Sequence, residues 1–203
     1  MTLRPGTRAD VRAAAAVFGR SFHTTPQWEW LIPDERARAG VLPAFFRSSF
    51  GHVRRHGRLM VAVDDADTVV GAIAWSAPGQ WKTPAWRGDL AAPALLRHLA
   101  GRGLRTVAER GRRIDAATHA AHPTEEHWYL AGVAVDPAAQ TGGVGTALIR
   151  EGLDVADSEG QPVYLECVEE LIPYYERFGF AVTGRIEPGQ VGMWRQVRSG
   201  RTS

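Results

Sequence analysis

The sequence has very little cysteine and no long apolar run. Cys167 is its single cysteine, so an intrachain disulfide is excluded, and a lone thiol is typical of a reducing compartment. No stretch of about 20 apolar residues occurs, which excludes a membrane-spanning helix. The first residues, MTLRPGTRAD, lack the apolar segment of a secretory signal. We therefore expect a cytoplasmic protein with no membrane partner.

Lysine is almost absent, because Lys82 is the only one and arginine carries nearly all of the positive charge. The formal net charge is only +2, since acidic residues nearly balance the arginines. Several arginines cluster within residues 102–113, but no aromatic side chains interleave with them. Nucleic-acid surfaces combine both features. We interpret the cluster as a solvated helix face and expect no nucleic-acid partner.

The length of 203 residues and the hydrophobic content of 44% are those of one domain with a sizeable core. We predict a single domain over residues 1–197 and a flexible tail over 198–203. Hydrophobic periodicity and turn residues predict the elements along it, among them an antiparallel hairpin over residues 58–75 and a helix that Asp34 caps. The predicted strands cover 2–4, 58–63, 68–75, 127–136, 162–167 and 190–197. The predicted helices cover 11–22, 34–56, 90–100, 104–121 and 146–156. Loops are predicted over 23–33 and 76–90.

The most informative stretch is residues 127–150, HWYLAGVAVDPAAQTGGVGTALIR. Its apolar start predicts a buried strand, and Asp136-Pro137 ends the strand because proline cannot continue a ladder. A glycine-rich turn and then a helical pattern follow. Glycines before a helix let successive backbone N–H groups point the same way, at the positive end of the helix dipole. The stretch therefore predicts an anion site suited to phosphate.

Two common phosphate motifs do not fit this stretch. A dinucleotide-binding turn places G-x-G-x-x-G directly after its strand, whereas Leu148 occupies the third glycine position here. A P-loop is excluded because no Gly-Lys-Ser/Thr follows. The pattern that does fit is Gln-x-x-Gly-x-Gly, at Gln140, Gly143 and Gly145.

This pattern resembles the acyl-CoA pyrophosphate motif of the GNAT N-acetyltransferase superfamily. Residues 162–167, PVYLEC, look like the next strand of that family, and residues 173–180, PYYERFGF, are similar to its Tyr-Glu-x-x-Gly-Phe signature. Trp-Tyr-Leu-Ala at 128–131 and the Arg-Pro start are also similar to puromycin N-acetyltransferase-like members. The resemblance is close over residues 127–185 and looser over the rest of the chain.

The resemblance implies an α/β (α+β) fold, with a central mixed, mostly antiparallel sheet flanked by helices. It also implies that acetyl-CoA is the acyl donor and that the acetyl group moves by direct transfer. The residues that it implies for binding acetyl-CoA are Val133, Ala134, Val135, Gln140, Thr141, Gly142, Gly143, Val144, Gly145 and Thr146.

The resemblance also implies a general acid. An acid must protonate the departing thiolate, and a tyrosine with a pKa of about 10 keeps its proton at working pH. In GNAT enzymes this acid is typically the first residue of Tyr-x-x-x-Gly-Phe, which Tyr175 matches here. Tyr174 is the adjacent competitor, but it lies about 100° around the helix. We predict that Tyr175 is the acid.

The general base is not assigned by the resemblance. Several relatives place Glu or His where this chain has Tyr129, and a neutral tyrosine is a poor base. We rank Glu166 first, because the two central strands of such a fold diverge around the acetyl group and Glu166 follows on the second of them. Glu126 and His127 stay open as alternatives.

Large aromatic side chains form the predicted acceptor site. Most of them lie in segments 22–30 and 75–86, which is where the resemblance implies that the acceptor approaches. An apolar wall favours a small amine over a peptide. The predicted substrate-binding residues are Phe22, Trp28, Trp30, Trp86 and Tyr129.

A metal site is not expected. His119, His122 and His127 are ligand types for zinc, but Pro123 interrupts the helix and the remaining spacing matches no zinc motif. Cys167 is interpreted as a buried strand cysteine, because no Cys-His context accompanies it.

The leading hypothesis is an acetyl-CoA-dependent N-acetyltransferase that acts on the primary amine of a small molecule, of antibiotic or metabolite type. Two alternatives stay open: acetylation of a protein lysine or N-terminus, and a catalytically inactive CoA-binding regulatory module. Monomer and homodimer are both compatible with the sequence.

Overall fold

The computed structural model describes residues 1–82, 92–99 and 102–197. The tail predicted over 198–203 lies outside the described residues, as does most of the loop predicted over 76–90. Within the described ranges, no helix has the length and apolar character that crossing a membrane requires.

The predicted elements occur in the predicted order, and further elements lie between them. In the described ranges the strands are β1 (Thr2–Pro5), β2 (Gly57–Val63), β3 (Val69–Ser76), β4 (Trp128–Val135), β5 (Val163–Cys167), β6 (Ala181–Ile186) and β7 (Gln190–Arg195). The α-helices are α1 (Asp10–Ser21), α2 (Pro26–Leu31), α3 (Glu35–His56), α4 (Ala92–His98), α5 (Arg102–Ala121), α6 (Val144–Ser158) and α7 (Ile172–Glu176), with short 3₁₀ helices at Pro137–Gly142 and Glu169–Leu171.

One of the further elements is α2, which corrects the loop predicted over residues 23–33. The prolines and tryptophans of this segment were interpreted as breakers. Pro26 instead occupies the first turn of α2, where a fixed φ favours a helix and the missing N–H costs nothing. The segment between α1 and α3 is therefore a short helix.

The seven strands form one sheet in the order β1-β2-β3-β4-β5-β7-β6. The pairs are antiparallel except for β4 and β5, which run parallel. The hairpin predicted from residues 58–75 is confirmed as the β2–β3 pair. The mixed, mostly antiparallel sheet that the resemblance implies is thereby confirmed.

Helices cover both faces of the sheet. Leu148 and Ile149 of α6 are fully buried on one face, where they pack with the ring of Trp75 from β3. Gly152 allows this contact, since a Cβ there would come within 2.2 Å of the Trp75 ring. On the other face, α1 and α3 bury their apolar sides against β2 and β3, with Phe18 in the centre.

Helix α3 starts where the sequence predicts. The carboxylate of Asp34 accepts a hydrogen bond of 2.7 Å from the backbone N–H of Ala37, which satisfies one of the free donors of the first turn. A third apolar cluster joins α3 to α4 and α5 through Val41, Leu99 and Val107. This cluster places α5 beside the face of the sheet that carries α1 and α3.

Candidate active site

The central feature of the site is the divergence of β4 from β5. Their parallel pairing covers only three residue pairs and ends at Leu130 and Leu165. Across the other edge of β4, Trp75 pairs with Leu130 and Ala74 with Gly132, so Ala131 is an extra residue in β4. Such a bulge bends the strand. Beyond Leu130, β4 therefore leaves β5 and opens a cleft between them.

The glycine-rich turn lies at the far end of β4. Asp136 ends the strand and its carboxylate accepts from the backbone N–H of Ala138, which starts the 3₁₀ helix. Gly143 then adopts a φ of 69°, a left-handed conformation that favours glycine, and α6 begins at the next residue.

The first turn of α6 has free backbone donors. The N–H of Ala147 bonds to the carbonyl of Gly143 at 3.0 Å, so the preceding amides of Val144, Gly145 and Thr146 have no carbonyl within the helix to reach. No side chain of the described residues caps this helix N-terminus. The arrangement has the free backbone donors and the positive dipole end that suit an anion.

The edge of β4 that faces the cleft supplies a second set of backbone groups. Asp136 donates its N–H to Val70 of β3, and Ala134 is paired with Ala72 of the same strand. Because backbone direction alternates along a strand, Val133 and Val135 turn their N–H and C=O groups the other way, toward the cleft. Of the three predicted strand residues, Val133 and Val135 thus present their backbone to a ligand, whereas the backbone of Ala134 faces β3.

Tyr174 and Tyr175 of α7 face different parts of the cleft. The hydroxyl of Tyr174 lies 3.4 Å from Oγ1 of Thr146, beside the turn. Tyr175 is buried and lines the cavity next to Cys167. Burial raises the pKa of Tyr175, so its hydroxyl remains protonated at neutral pH. Burial also raises the pKa of Cys167 to about 11, which leaves a neutral thiol that is a poor nucleophile.

A cavity of about 630 Å³ occupies the cleft on the side of α1, α2, α3 and α5. Its wall is mostly apolar. Two carboxylates, Asp115 and Glu166, belong to the lining, and no lysine, arginine or histidine of the described residues does. The aromatic and aliphatic part of the wall includes Phe22, Trp28, Phe45, Phe46, Leu104, Val107 and Ile114.

The predicted acceptor residues separate into three groups. Phe22, Trp28 and Tyr129 line the cavity. Trp30 lies outside the lining, where its backbone carbonyl accepts from Arg110 and its ring lies 5.1 Å below that guanidinium. Trp86 lies outside the described residues. Phe22 and Trp28 also contact Phe46, so they contribute to the core as well as to the wall.

Glu166 is held at the cavity wall by hydrogen bonding. Its Oε2 accepts a hydrogen bond of 3.0 Å from the hydroxyl of Tyr129. Burial and the Glu166 carboxylate raise the pKa of Tyr129 well above its usual range, so this hydroxyl stays a donor. Of the three candidate bases, Glu166 lines the cavity, whereas Glu126 and His127 do not.

The histidines that the sequence analysis considered as metal ligands have other contacts. Nε2 of His122 lies 3.0 Å from Nε2 of His127, and Nδ1 of His122 lies 3.8 Å from Oε1 of Glu166. Among the described residues, no group of three or more His, Cys, Asp or Glu side chains is arranged to hold a metal ion. The proximity of His122 to Glu166 was missed because the two residues are far apart in the sequence.

The contribution of α5 to the cavity was also missed, although a signal was present. Its lining residues recur at helical spacing, so one face of the helix is apolar. The arginines of this helix favour a solvated face in the sequence, and this pattern masks the apolar one. The residues concerned are Leu104, Val107, Gly111, Ile114 and Thr118.

Known proteins share both sequence features and the fold with this chain. The acetyltransferase (GNAT) family model matches residues 20–180. The fold is similar to that of histone acetyltransferase HPA2 and related acetyltransferase from Corynebacterium glutamicum, with a TM-score of 0.70, 24% identity and 98% of each chain covered.

Two further solved structures share the fold at lower identity. A GNAT superfamily phosphinothricin acetyltransferase from Sinorhizobium meliloti, in complex with acetyl-CoA, has a TM-score of 0.57 and 17% identity over 100% of this chain and 91% of that one. Naa20 from Chaetomium thermophilum, in complex with a bisubstrate analogue, has a TM-score of 0.51 and 14% identity over 97% of this chain and 87% of that one. The match to the family model extends over most of the chain, so this protein belongs to the acetyltransferase (GNAT) family, a class of N-acetyltransferase enzymes that use acetyl-CoA.

Proposed function

We propose that this protein transfers the acetyl group of acetyl-CoA directly to the primary amine of a small apolar molecule. The observation that carries the proposal is the cavity of about 630 Å³, whose mostly apolar wall contains carboxylates but no basic side chain of the described residues. A volume of this size is typical of small-molecule sites. An amine with an aromatic or aliphatic body fits such a wall, and its positive charge fits the carboxylates.

The donor side supports acetyl-CoA as the ligand of the turn. The free amides at the start of α6 suit a pyrophosphate, since backbone N–H groups and the helix dipole both favour an anion. The outward backbone groups of Val133 and Val135 suit the amides of an extended pantetheine arm, in the manner of an added strand. This path leads from the turn to the point where β4 and β5 meet, next to Tyr175.

Two side chains are proposed to perform the chemistry. Glu166 removes a proton from the bound ammonium, so that the amine nitrogen has a lone pair for attack. Tyr175 donates its proton to the thiolate as the thioester is cleaved. The raised pKa of Tyr175 supports this role, because a hydroxyl that stays protonated is available as an acid at neutral pH. Tyr129 orients Glu166 through the hydrogen bond to Oε2.

The experiment is an assay of free CoA release with four acceptor types at equal concentration. They are an arylalkylamine, an amino acid with a free carboxylate, a lysine-containing peptide and a peptide with a free N-terminus. We expect the arylalkylamine to have the highest kcat/KM, because the described part of the cavity lining offers no cation for a carboxylate. A higher kcat/KM for either peptide would overturn the proposal in favour of protein acetylation.

A second measurement separates a poor choice of acceptor from an inactive protein. Acetyl-CoA binding is measured by calorimetry, with the Glu166→Gln variant as a catalytic control. Binding without release of CoA for any acceptor would overturn the proposal and favour a regulatory CoA-binding module.

A further inference from the structure

A buried polar row adjoins Glu166 outside the cavity lining. His122 follows the end of α5 and His127 immediately precedes β4, and these residues are only 7% and 5% exposed. Their Nε2 atoms are 3.0 Å apart. Nδ1 of His122 lies 3.8 Å from Oε1 of Glu166. The three side chains form a continuous row that begins in the cavity wall.

The hydrogen bond between His127 and the backbone of Glu125 fixes which nitrogen of each ring carries a proton. Nδ1 of His127 lies 2.6 Å from the carbonyl oxygen of Glu125, and because a carbonyl only accepts, this nitrogen carries a proton. Burial lowers the pKa of His127, so its ring is neutral at pH 7 and its Nε2 is an acceptor. Nε2 of His122 must then donate. The Nδ1 atom of a neutral His122 therefore presents a lone pair to Glu166.

Nδ1 of His122 and Oε1 of Glu166 face each other at 3.8 Å, which is within ion-pair distance but beyond hydrogen-bond distance. Within the part of the chain that the structure describes, neither Nδ1 of His122 nor Oε1 of Glu166 has a hydrogen-bond partner. The two side chains are only 1% and 7% exposed. Two buried acceptors that face each other are unfavourable. A single proton taken up at Nδ1 of His122 converts the contact into an ion pair.

Acetylation of an alkyl amine supplies such a proton. With a pKa of about 10 the acceptor arrives at pH 7 as R–NH₃⁺, whereas the product is R–NH–CO–CH₃. The nitrogen therefore loses two protons in each turnover. One of them ends on the thiol sulfur, and the other leaves through Glu166. A second acceptor next to Glu166 would take that proton over and leave the carboxylate ionised for the second deprotonation of the nitrogen.

We propose that His122 is this second acceptor, with His127 as the positioning residue that fixes its tautomer; the inference rests on the proposed function of the cavity. Glu166 takes the first proton from the ammonium and passes it to Nδ1 of His122. The nitrogen lone pair then forms the N–C bond, the C–S bond of the thioester breaks with its electron pair on sulfur, and Glu166 takes the second proton.

The remaining transfers complete the balance. Tyr175 gives its proton to the sulfur, which yields the CoA thiol, and the second proton replaces the one that Tyr175 gave up. His122 releases the first proton to water after the products leave. Each turnover thus yields one amide, one thiol and one free proton from R–NH₃⁺ and the thioester.

The other groups that face His122 are compatible with a transient positive charge. Trp81 stacks on its ring with a centroid separation of 3.6 Å, and the face of an indole attracts a cation. Tyr129 and Tyr164 contact the ring edge-on, and burial raises the pKa of both phenols, so they stay neutral. Two further groups that can carry positive charge contact Trp81: His119 and Lys82.

The test is the pH dependence of the His122→Asn variant with an arylalkylamine as acceptor. The asparagine amide can donate to Glu166 but cannot take up a proton. We expect kcat/KM to fall by about 10²-fold at pH 7. Because the amine arrives increasingly neutral as the pH approaches its pKa, the deficit relative to wild type should shrink by at least about 10-fold between pH 7 and pH 9.5. A merely structural role would give the same deficit at every pH.

An acceptor of low basicity provides a second measurement. An aryl hydrazide is neutral at pH 7 and loses only one proton on acetylation. His122→Asn should therefore change its kcat/KM by less than about 3-fold. Glu166→Gln should lower the rates of both acceptors by about 10²-fold. His119→Asn, which alters a neighbouring histidine outside the row, is the control and should match wild type.

The outcomes separate the two proposals. An equal loss of kcat/KM in His122→Asn at every pH, or an equal loss for the two acceptors, would overturn the assignment of His122. The proposed function would stand in that case. Wild-type protein that acetylates neither acceptor would overturn the proposed function together with that assignment. If His122→Asn does not fold, His122→Gln, which keeps a donor toward Nε2 of His127, is measured in its place with the same expectation.

Discussion

The two sides of the cleft are built in different ways. The donor side consists of backbone groups from one continuous stretch, residues 133–147, which contains the end of β4, the turn and the first turn of α6. The acceptor side consists of Phe22, which follows α1, and of side chains from α2, α3, α5 and both central strands, so its residues are far apart in the sequence.

The difference follows from what each side would bind. A pyrophosphate is recognised by N–H groups, which every residue except proline supplies, so the donor side needs a particular backbone shape. An apolar amine is recognised by the size and polarity of a wall, so the acceptor side needs particular side chains. Substitutions should therefore affect acetyl-CoA through backbone conformation and the acceptor through side-chain volume.

Tyr175→Phe tests the point where the two sides meet and should have the largest effect. We expect kcat to fall by about 10²-fold or more with acetyl-CoA affinity nearly unchanged, since only the hydroxyl that would protonate the thiolate is lost. Steady-state kinetics and calorimetry measure the two quantities. Tyr174→Phe is the matched control, because that hydroxyl lies beside Thr146, and it should keep most of kcat. Full turnover by Tyr175→Phe would show that another group supplies the proton.

Gly143 offers a direct test of the backbone-built donor side. Its φ of 69° is tolerated by Asn and Asp better than by other side chains, so Gly143→Asn and Gly143→Asp carry similar strain and differ in one charge. We expect the Kd for acetyl-CoA to be at least about 10-fold higher for the Asp variant, about 1.4 kcal/mol of binding free energy. Calorimetry on the two folded variants measures this ratio, and equal Kd values would contradict an anion site at the turn.

Trp28 and Trp30 offer the corresponding test of the acceptor side. They lie two residues apart on α2, but only Trp28 lines the cavity. Trp28→Ala should raise the KM of an arylalkylamine about 3- to 10-fold while the KM of acetyl-CoA stays within about 2-fold, because truncation removes apolar contact area from one ligand only. Trp30→Ala should leave both KM values near those of wild type. An equal rise of both KM values in Trp28→Ala, with a lower Tm, would mean that Trp28 serves only the core.

The pair of Arg20 and Asp136 connects the two sides and should show the smallest effect. Arg20 of α1 bonds to the carboxylate that ends β4, and the Arg20 guanidinium lowers the pKa of Asp136. The side chain of Arg20 is 53% exposed, so solvent screening limits the contribution to about 0.2–1 kcal/mol. Asp136→Asn should therefore lower Tm by only about 1–4 °C at pH 7.

The pH dependence of this small effect has a defined sign. A folded-state pKa below the ordinary value means that the stabilisation is complete above about pH 4 and is lost as the pH falls through the lowered pKa. The Tm difference between wild type and Asp136→Asn should accordingly close toward pH 2. Arg20→Gln should give the same difference at pH 7, and the double variant should add little to it. A difference that persists at pH 2 would assign the effect to packing.

The resemblance and the local patterns predicted much of what the structure contains. Four features lie where the sequence predicts them: the hairpin, the central strand with its Asp-Pro end, the Asp34 cap and the glycine turn. The prediction failed at α2, where prolines and tryptophans were interpreted as a loop although Pro26 starts a helix. The apolar face of α5 was also missed, because the arginines of that helix were interpreted as a solvated face.

The donor turn was accessible from the sequence because its geometry depends on near neighbours. Asp136, Pro137 and Gly143 set the end of the strand, the 3₁₀ turn and the left-handed residue, and each acts over a few bonds. Local steric preferences of proline and glycine are properties of the chain itself. The sequence by itself therefore determined the glycine turn between a strand and a helix.

Only the tertiary structure decided which side chains meet across the cleft. The bulge at Ala131 separates β4 from β5, α5 packs against α3 to close the cavity, and His122 comes to lie next to Glu166. None of these contacts follows from spacing, because each joins elements that are distant in the chain and are brought together by burial of apolar surface, which has no directional preference. The charge of the cavity wall and the buried row behind Glu166 are therefore consequences of packing, which a linear pattern does not record.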